Sequence, residues 1–204
     1  MKEAACNLQI LSLDKLHHLV AQTSIHSYLV LDSIRIPDLF SECYQQESPT
    51  MEQLYRGTTF EPLLDISPII FKVSPENPLF ARWLSDPEYS SSGILIQSKE
   101  PLDAVTQHLQ HIMQITPPQG LPRLFRFYSP RVFSQWVDIL TVKELERFGG
   151  SISRFVWHTP DHSNQNQQEI RSVELQPSSP NTSYSAPWFS ISTEIEQEVD
   201  KLFR

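Results

Sequence analysis

The chain has 204 residues, of which 39% are hydrophobic and 20% are charged, and its net charge is -8. A chain of this length forms one ordinary domain, or one domain with a smaller appendage, and it can bury a core without a disulfide or a metal. The acidic balance disfavours general nucleic-acid binding, because a phosphate backbone is itself negatively charged.

The first half of the chain alternates between helix-like and strand-like segments. Apolar residues at helical spacing follow Ser12, whose side chain can cap the helix. Pro37 suits the first turn of a second helix, and Gly57 predicts a turn because glycine adopts backbone angles closed to other residues. The predicted elements are a helix from Ser12, a strand over residues 28–31 ending at Asp32, a helix from Pro37, a turn over residues 54–58, a strand over residues 69–73, a helix over residues 78–84 and a strand over residues 93–97.

The second half continues this alternation and then becomes more polar. A helix from Pro101 is ended by Pro117 and Pro118. Thr193 and Glu196 have the spacing of a capping box at the start of the last helix. The predicted elements are a strand over residues 123–128, helices over residues 129–140 and 141–148, a strand over residues 152–157, a polar loop over residues 161–168, a strand over residues 171–175, an irregular link from Ser178 and a helix over residues 193–203.

Apolar strands alternating with helices favour an α/β fold. We predict a mixed, partly parallel sheet flanked by helices, with a short C-terminal helical appendage. Residues 1–158 form the predicted α/β domain. Residues 159–204 form a variable C-terminal region that holds the polar loop and an amphipathic terminal helix. The apolar edge of that helix consists of Ile195, Val199, Leu202 and Phe203.

The cysteines and the hydropathy pattern predict the compartment. Cys6 and Cys43 form neither a CxxC pair nor a metal-ligand spacing, which suits a reducing environment. The first residues include Glu3 and lack the apolar core of a signal peptide. No apolar run approaches the roughly 18 residues that a membrane span requires. We therefore expect a soluble, cytoplasmic protein that does not bind a membrane.

Known catalytic motifs are missing from the sequence. The five glycines form no phosphate-binding loop, and no serine lies in a GxSxG elbow. His108 and His111 lie three residues apart on a predicted helix, but a metal site needs further ligands. We predict no catalytic residue, cofactor, metal or small-molecule substrate. The enzymatic alternative is a small hydrolase that uses Asp32, at a strand end, with a histidine; the structural alternative for Asp32 is a turn cap.

Residues 121–158 carry six basic and three acidic side chains within an otherwise acidic chain. The six cations either pair with acids of the same chain or contact an acidic protein surface. Arg131 falls in the first turn of a predicted helix, where the helix dipole disfavours a cation. An internal carboxylate or an acidic group of a partner is needed to offset it. The six are Arg123, Arg126, Arg131, Lys143, Arg147 and Arg154.

Several segments resemble, in the same order, those of the adaptor family that loads effectors in bacterial type VI secretion, which is catalogued as a domain of unknown function. FRFYSPRV at residues 125–132 is similar to the family's FRFYDPRV signature. The other matching segments are YLVLD at residues 28–32, LYRGT at residues 54–58, PIIFKV at residues 68–73, PLFARWL at residues 78–84, GILIQS at residues 93–98 and FGG at residues 148–150. Two positions depart from the family pattern: Ser129 replaces the signature aspartate, and Ser92 replaces a tryptophan often found before the strand glycine.

The resemblance implies a cytoplasmic, chaperone-like adaptor that binds a toxic effector and helps to attach it to the valine-glycine-repeat (VgrG) spike protein. It implies no enzymatic activity and no cofactor. Candidate partner-binding residues are Arg126, Tyr128, Arg131, Ile195, Val199, Leu202 and Phe203. For the terminal helix, docking on its own domain is the alternative to cargo contact. For the whole chain, a generic protein-interaction scaffold is a further alternative.

Overall fold

The computed structural model describes residues 7–45, 50–118, 121, 123–160, 168–177 and 189–202, in which short strands and helices alternate. The strands are β1 Asn7–Leu11, β2 His26–Leu31, β3 Met51–Gln53, β4 Ile69–Val73, β5 Gly93–Ser98, β6 Gln114–Thr116, β7 Arg123–Leu124, β8 Ile152–Pro160, β9 Gln168–Glu174 and β10 Phe189–Ser190. The helices are α1 Leu13–Val20, α2 Leu39–Tyr44, α3 Pro78–Ser85, α4 Pro87–Ser90, α5 Leu102–Ile112, α6 Pro130–Ile139, α7 Val142–Gly149 and α8 Thr193–Leu202, with a 3-10 helix over Glu61–Ile66.

The predicted mixed α/β fold with a C-terminal helix is confirmed. Seven strands form one sheet in the order β1-β9-β8-β5-β2-β4-β3, and every neighbouring pair in it is antiparallel. The parallel pairing lies in a separate three-stranded sheet, between β10 and β6. Continuous apolar runs indicate that a strand is buried on both faces, but they carry no information about its direction relative to its neighbours.

Two hydrophobic cores lie on opposite faces of the large sheet. Successive residues of β2 alternate between them: Val30 belongs to the core that α5, α6, α7 and α8 complete, and Leu29 and Leu31 to the core that α1, α2 and α3 complete. Because side chains alternate across a strand, a sheet covered by helices on both faces has strands that are apolar at nearly every position. The large sheet is therefore the middle layer of three.

Local sequence signals explain several helix boundaries. Ser12 caps α1 as predicted, its Oγ accepting a hydrogen bond from the Lys15 amide at 3.3 Å. Ser129 occupies the N-cap position of α6, but its side chain accepts no capping hydrogen bond. The capping box predicted for Thr193 is wrong by one residue, because the Ile195 amide donates to Ser192 Oγ at 3.3 Å.

The strand predicted over residues 123–128 is much shorter in the structure. Only Arg123–Leu124 forms β7, and the following residues turn before α6 begins at Pro130. Strands β1, β3, β6 and β10 were not predicted; β3, β6 and β10 have only two or three residues, too few for a clear alternation of apolar residues. Cys6, Gly120, most of the predicted polar loop, most of the link from Ser178, and Phe203 lie outside the described residues.

The C-terminal region is packed against the rest of the chain. Strand β9 lies between β8 and β1 in the large sheet, and α8 contacts α6. Ile195 and Val199 of α8 are each 5% exposed and belong to the same core as the signature aromatics. The helix therefore docks on its own domain, while the predicted boundary at residue 158 stays a prediction. Among the described helices, none is long and apolar enough to cross a bilayer.

Candidate functional site

Two of the signature segments meet at one end of the large sheet through an ion pair. Asp32 directly follows β2, and Arg126 lies in the turn that leads into α6. The Arg126 guanidinium donates to Asp32 Oδ2. The Asp32 side chain is 2% exposed and the Arg126 side chain 43% exposed, so the carboxylate is buried while part of the guanidinium reaches solvent. The sequence prediction identified both residues but not their contact.

Asp32 also organises the turn that follows β2. Its Oδ1 accepts a hydrogen bond from the Ile34 amide at 3.1 Å, and its own amide donates to the Ser92 carbonyl at 2.9 Å. This confirms the prediction that Asp32 caps a turn. Both carboxylate oxygens are thus engaged, one by the turn and one by Arg126. Among the described residues, the hydrogen bonds of the Asp32 side chain are to Ile34 and Arg126, and neither partner is a histidine.

A third signature segment reaches the same place through Tyr55. The hydroxyl of Tyr55 lies 3.3 Å from the hydroxyl of Tyr128, and both residues are buried. Burial raises the pKa of Tyr128, and its hydrogen bond to Tyr55 raises it further. Burial acts to lower the pKa of Arg126, but the neighbouring Tyr128 and Asp32 outweigh it and leave that pKa raised. Tyr128 is therefore a neutral hydroxyl and Arg126 a permanent cation.

We call Asp32, Tyr55, Arg126 and Tyr128 the signature joint. Its polar groups satisfy one another, and the joint ties the end of β2, the LYRGT turn and the start of α6 together. The Asp32 carboxylate is buried and each of its oxygens accepts a hydrogen bond, so the joint holds the start of α6 in place against the large sheet.

Most of the basic side chains between residues 121 and 158 contact other groups of the same chain. Arg123 pairs with Asp200 at 3.1 Å, and Arg154 pairs with Glu174 at 2.8 Å. Arg147 donates to the Ser190 carbonyl and lies 4.6 Å over the Phe189 ring. With Arg126 in the joint, four of the six cations make internal contacts, in line with the structural alternative.

Arg131 and Lys143 are the two exposed cations of this group for which neither an ion pair nor a hydrogen bond is described. Each is the second residue of its helix, Arg131 in α6 and Lys143 in α7. The first turn of α7 contains Glu144, which forms a capping box with Thr141, whereas the first turn of α6 contains no acidic residue. Arg131 therefore lies at a positive helix end without a local carboxylate to offset it.

The remaining candidate partner-binding residues are placed less favourably for contact. Tyr128, Ile195 and Val199 are buried within the protein's own core. Leu202 belongs to α8, but its side chain is outside the described part, as is Phe203. Ser92, a departure from the family pattern, is also buried, so that substitution alters packing and not a contact surface. The partner-binding role of all these residues stays a prediction.

The described residues contain no group of three His, Cys, Asp or Glu side chains that could hold a metal ion. His108 Nε2 donates to the Phe148 carbonyl at 2.9 Å, which fixes the orientation of this buried ring. His158 is buried against Trp83, with ring centroids 4.5 Å apart, and the Gln168 side chain is a polar neighbour of its ring. His108 and His158 are thus packing residues with titratable rings.

The two buried histidines should make the protein less stable in mild acid. Burial lowers the pKa of both from 6.5 to about 4, against opposing contributions from Phe148 and Gln168. In the unfolded chain these two histidines therefore bind protons below about pH 6.5, whereas in the folded chain they do so only below about pH 4. The contribution of each histidine to the free energy of unfolding is fully present above its pKa in the unfolded chain, 6.5. It falls as the pH drops, by about 2 kcal/mol per histidine between pH 7 and pH 5.

Urea unfolding of the His158→Phe variant at both pH values tests this expectation. Phenylalanine keeps the ring against Trp83, so stability at pH 7 should be maintained and about 2 kcal/mol of the loss at pH 5 should disappear. The His108→Phe variant should lose ~1–3 kcal/mol already at pH 7, because it leaves the Phe148 carbonyl unpaired. An unchanged pH slope in His158→Phe would contradict the assignment.

Comparison with known proteins gives one match. A family model described as a domain of unknown function (DUF4123) matches residues 27–147. The matched range runs from β2 to α7 and contains the whole signature joint together with Arg131. Searches of curated proteins and of solved structures return no match to the chain. The residues that meet in the joint are therefore all within the matched domain, and β1, β8, β9 and α8 are outside it.

Proposed function

This chain belongs to the DUF4123 family, and we propose that it is a non-catalytic adaptor that binds a type VI secretion effector and promotes its loading onto the valine-glycine-repeat spike protein. The observation that carries the proposal is the signature joint. Residues from three distant segments satisfy one another's polar groups and fix the start of α6, where Arg131 is exposed in an otherwise largely buried first turn. Such a construction favours a fixed recognition surface over a reacting site.

Arg131 is the residue of this surface that most needs an acidic partner. Its guanidinium is exposed beside the positive end of α6, and no described carboxylate neutralises it. An acidic group of the bound protein would complete this arrangement, and the cost of placing a cation there would then be offset in the complex. The proposed partners are the effector and the spike protein. The proposal includes a cytoplasmic location and involves no cofactor, nucleic acid, membrane or small-molecule substrate.

The Arg131→Glu variant should bind the effector about tenfold more weakly, equivalent to about 1.4 kcal/mol. The same change should raise the free energy of unfolding slightly, by about 0.5 kcal/mol, because a carboxylate suits a helix N-terminus. A loss of binding could then not be attributed to unfolding. Affinity is measured by calorimetry with a candidate type VI effector and with a valine-glycine-repeat spike protein from the source organism, and stability by urea unfolding.

The matched control is Lys143→Glu, which makes the same charge change at the second residue of the neighbouring helix α7. It should leave binding near that of the unaltered protein. Equal losses in both variants would show a general charge effect and remove the role of Arg131. If neither the effector nor the spike protein binds the unaltered chain, the adaptor proposal fails, and a generic scaffold with another partner becomes the better description.

A further inference from the structure

The two edge strands of the large sheet differ in length and in what covers them. Strand β3 forms one edge and has three residues, and the side-chain amide of Gln53 donates to the Leu64 carbonyl of the 3-10 helix beside it. Strand β1 forms the other edge and has five residues, with β9 as its neighbour among the described strands. Short or covered edges resist pairing with other chains, whereas a longer open edge invites it.

Strand β1 carries none of the usual features that prevent edge pairing. Its sequence, NLQIL, contains no charge and no proline, and its pairing with β9 runs over all five residues without a bulge. Leu8 is 44% exposed and Ile10 66% exposed, and both lie on the same face of the strand because they are two residues apart. This face is apolar and the outer backbone groups of β1 have no described strand to pair with.

We propose that β1 pairs antiparallel with β1 of a second copy of this chain, about a twofold axis at Gln9, so that the two large sheets become continuous. In this register Leu8 of one copy lies opposite Ile10 of the other, and the reverse pair repeats the contact. All five residues of the strand then have partners. A twofold axis perpendicular to the sheet keeps the equivalent faces of the two copies on the same side.

The chemistry of the edge favours a second copy over a different protein. A strand without charged residues can oppose itself without repulsion, and here its two exposed apolar residues are placed to cover each other. Arg171, which lies opposite Ile10 on β9, is already paired with Glu169 at 3.0 Å. Lys15 Nζ bonds the Gln9 side chain at 3.0 Å on the opposite face of the strand from Leu8 and Ile10. The net charge of -8 on each copy opposes association, so added salt should strengthen the dimer.

Sedimentation equilibrium over a range of protein concentrations tests the dimer. The average mass should rise from 23.6 kDa towards twice that value, and it should do so at lower concentration in higher salt. Ile10→Lys should raise the dissociation constant at least tenfold. The control is Ile34→Lys, at an isoleucine that is 51% exposed away from this edge, and it should dimerise normally. A monomer at all concentrations, or equal effects of both lysines, overturns the proposal.

The register has its own test by charge complementation. Leu8→Lys and Ile10→Glu should each weaken the dimer. The double variant should restore it at low salt, because each lysine then lies opposite a glutamate of the other copy. Failure of the double variant to restore association overturns the proposed pairing. Effector affinity of the Ile10→Lys variant is a separate measurement, so the dimer and the adaptor function can fail independently.

Discussion

Replacing Gly93 with alanine should destabilise the fold by more than about 4 kcal/mol. A Cβ at this position would lie 2.0 Å from the Val30 carbonyl oxygen and 2.5 Å from Leu31 Cδ2. The backbone of β2 cannot move aside, because it is hydrogen-bonded to β4 on its other edge and packed between the two cores. The Gly93 carbonyl is also held, as it accepts a hydrogen bond from the Trp83 indole at 3.0 Å.

Urea unfolding monitored by circular dichroism measures this effect, and Gly57→Ala is the control. Gly57 has a φ of +70°, but a Cβ there would meet nothing within 4 Å. Its replacement should cost only about 1 kcal/mol, the conformational penalty alone. Comparing the two variants separates the steric clash expected at Gly93 from the backbone strain expected at Gly57. A Gly93→Ala protein as stable as Gly57→Ala would show that the contact between β5 and β2 is looser than described.

Replacing Arg126 with methionine should cost about 3 kcal/mol, because it leaves the Asp32 carboxylate buried without its cation. Methionine preserves much of the aliphatic stem, so the loss reports mainly on charge and hydrogen bonding. Asp32→Asn keeps a side-chain acceptor for the Ile34 amide and should cost less. In the double variant no charge is buried, so its cost should be smaller than the sum of the two single costs by about 2 kcal/mol.

The double-mutant cycle is measured by urea unfolding of the three variants and the unaltered protein. Arg123→Met is the control for an exposed pair, since the side chains of Arg123 and Asp200 are 52% and 44% exposed. Its cost should stay below about 1 kcal/mol. Additive effects at Asp32 and Arg126 would show that the pair is not coupled, and the signature joint would lose its central contact.

The two arginines of the signature thus have different expected behaviour. Arg126→Met should lower stability and weaken partner binding only as far as it disturbs the start of α6. Arg131→Glu should weaken binding while stability is maintained or slightly raised. This difference follows from their surroundings: Arg126 has a buried carboxylate as partner, and Arg131 is exposed without one among the described residues.

Much of the large sheet could be predicted from the sequence. The apolar runs at β2, β4 and β5 identify strands buried on both faces, and helical spacing identifies α5 and α6. The candidate site could be predicted only in part. Asp32, Arg126 and Tyr128 were each recognised, but their convergence with Tyr55 was not. The contact between Tyr55 and Tyr128 joins residues that are 73 positions apart in the sequence, and that between Asp32 and Arg126 joins residues 94 positions apart.

Local spacing and chemical type were enough to predict most of the helices, the central strands and the residues of the signature, but not α4 or the 3-10 helix. The tertiary structure was needed for the direction of the strands, the burial of Ile195 and Val199, and the pairing of the arginines in the basic segment. It also placed β1 at one edge of the described sheet. Each of these features depends on contacts between segments that are distant in the sequence, and local spacing does not specify such contacts.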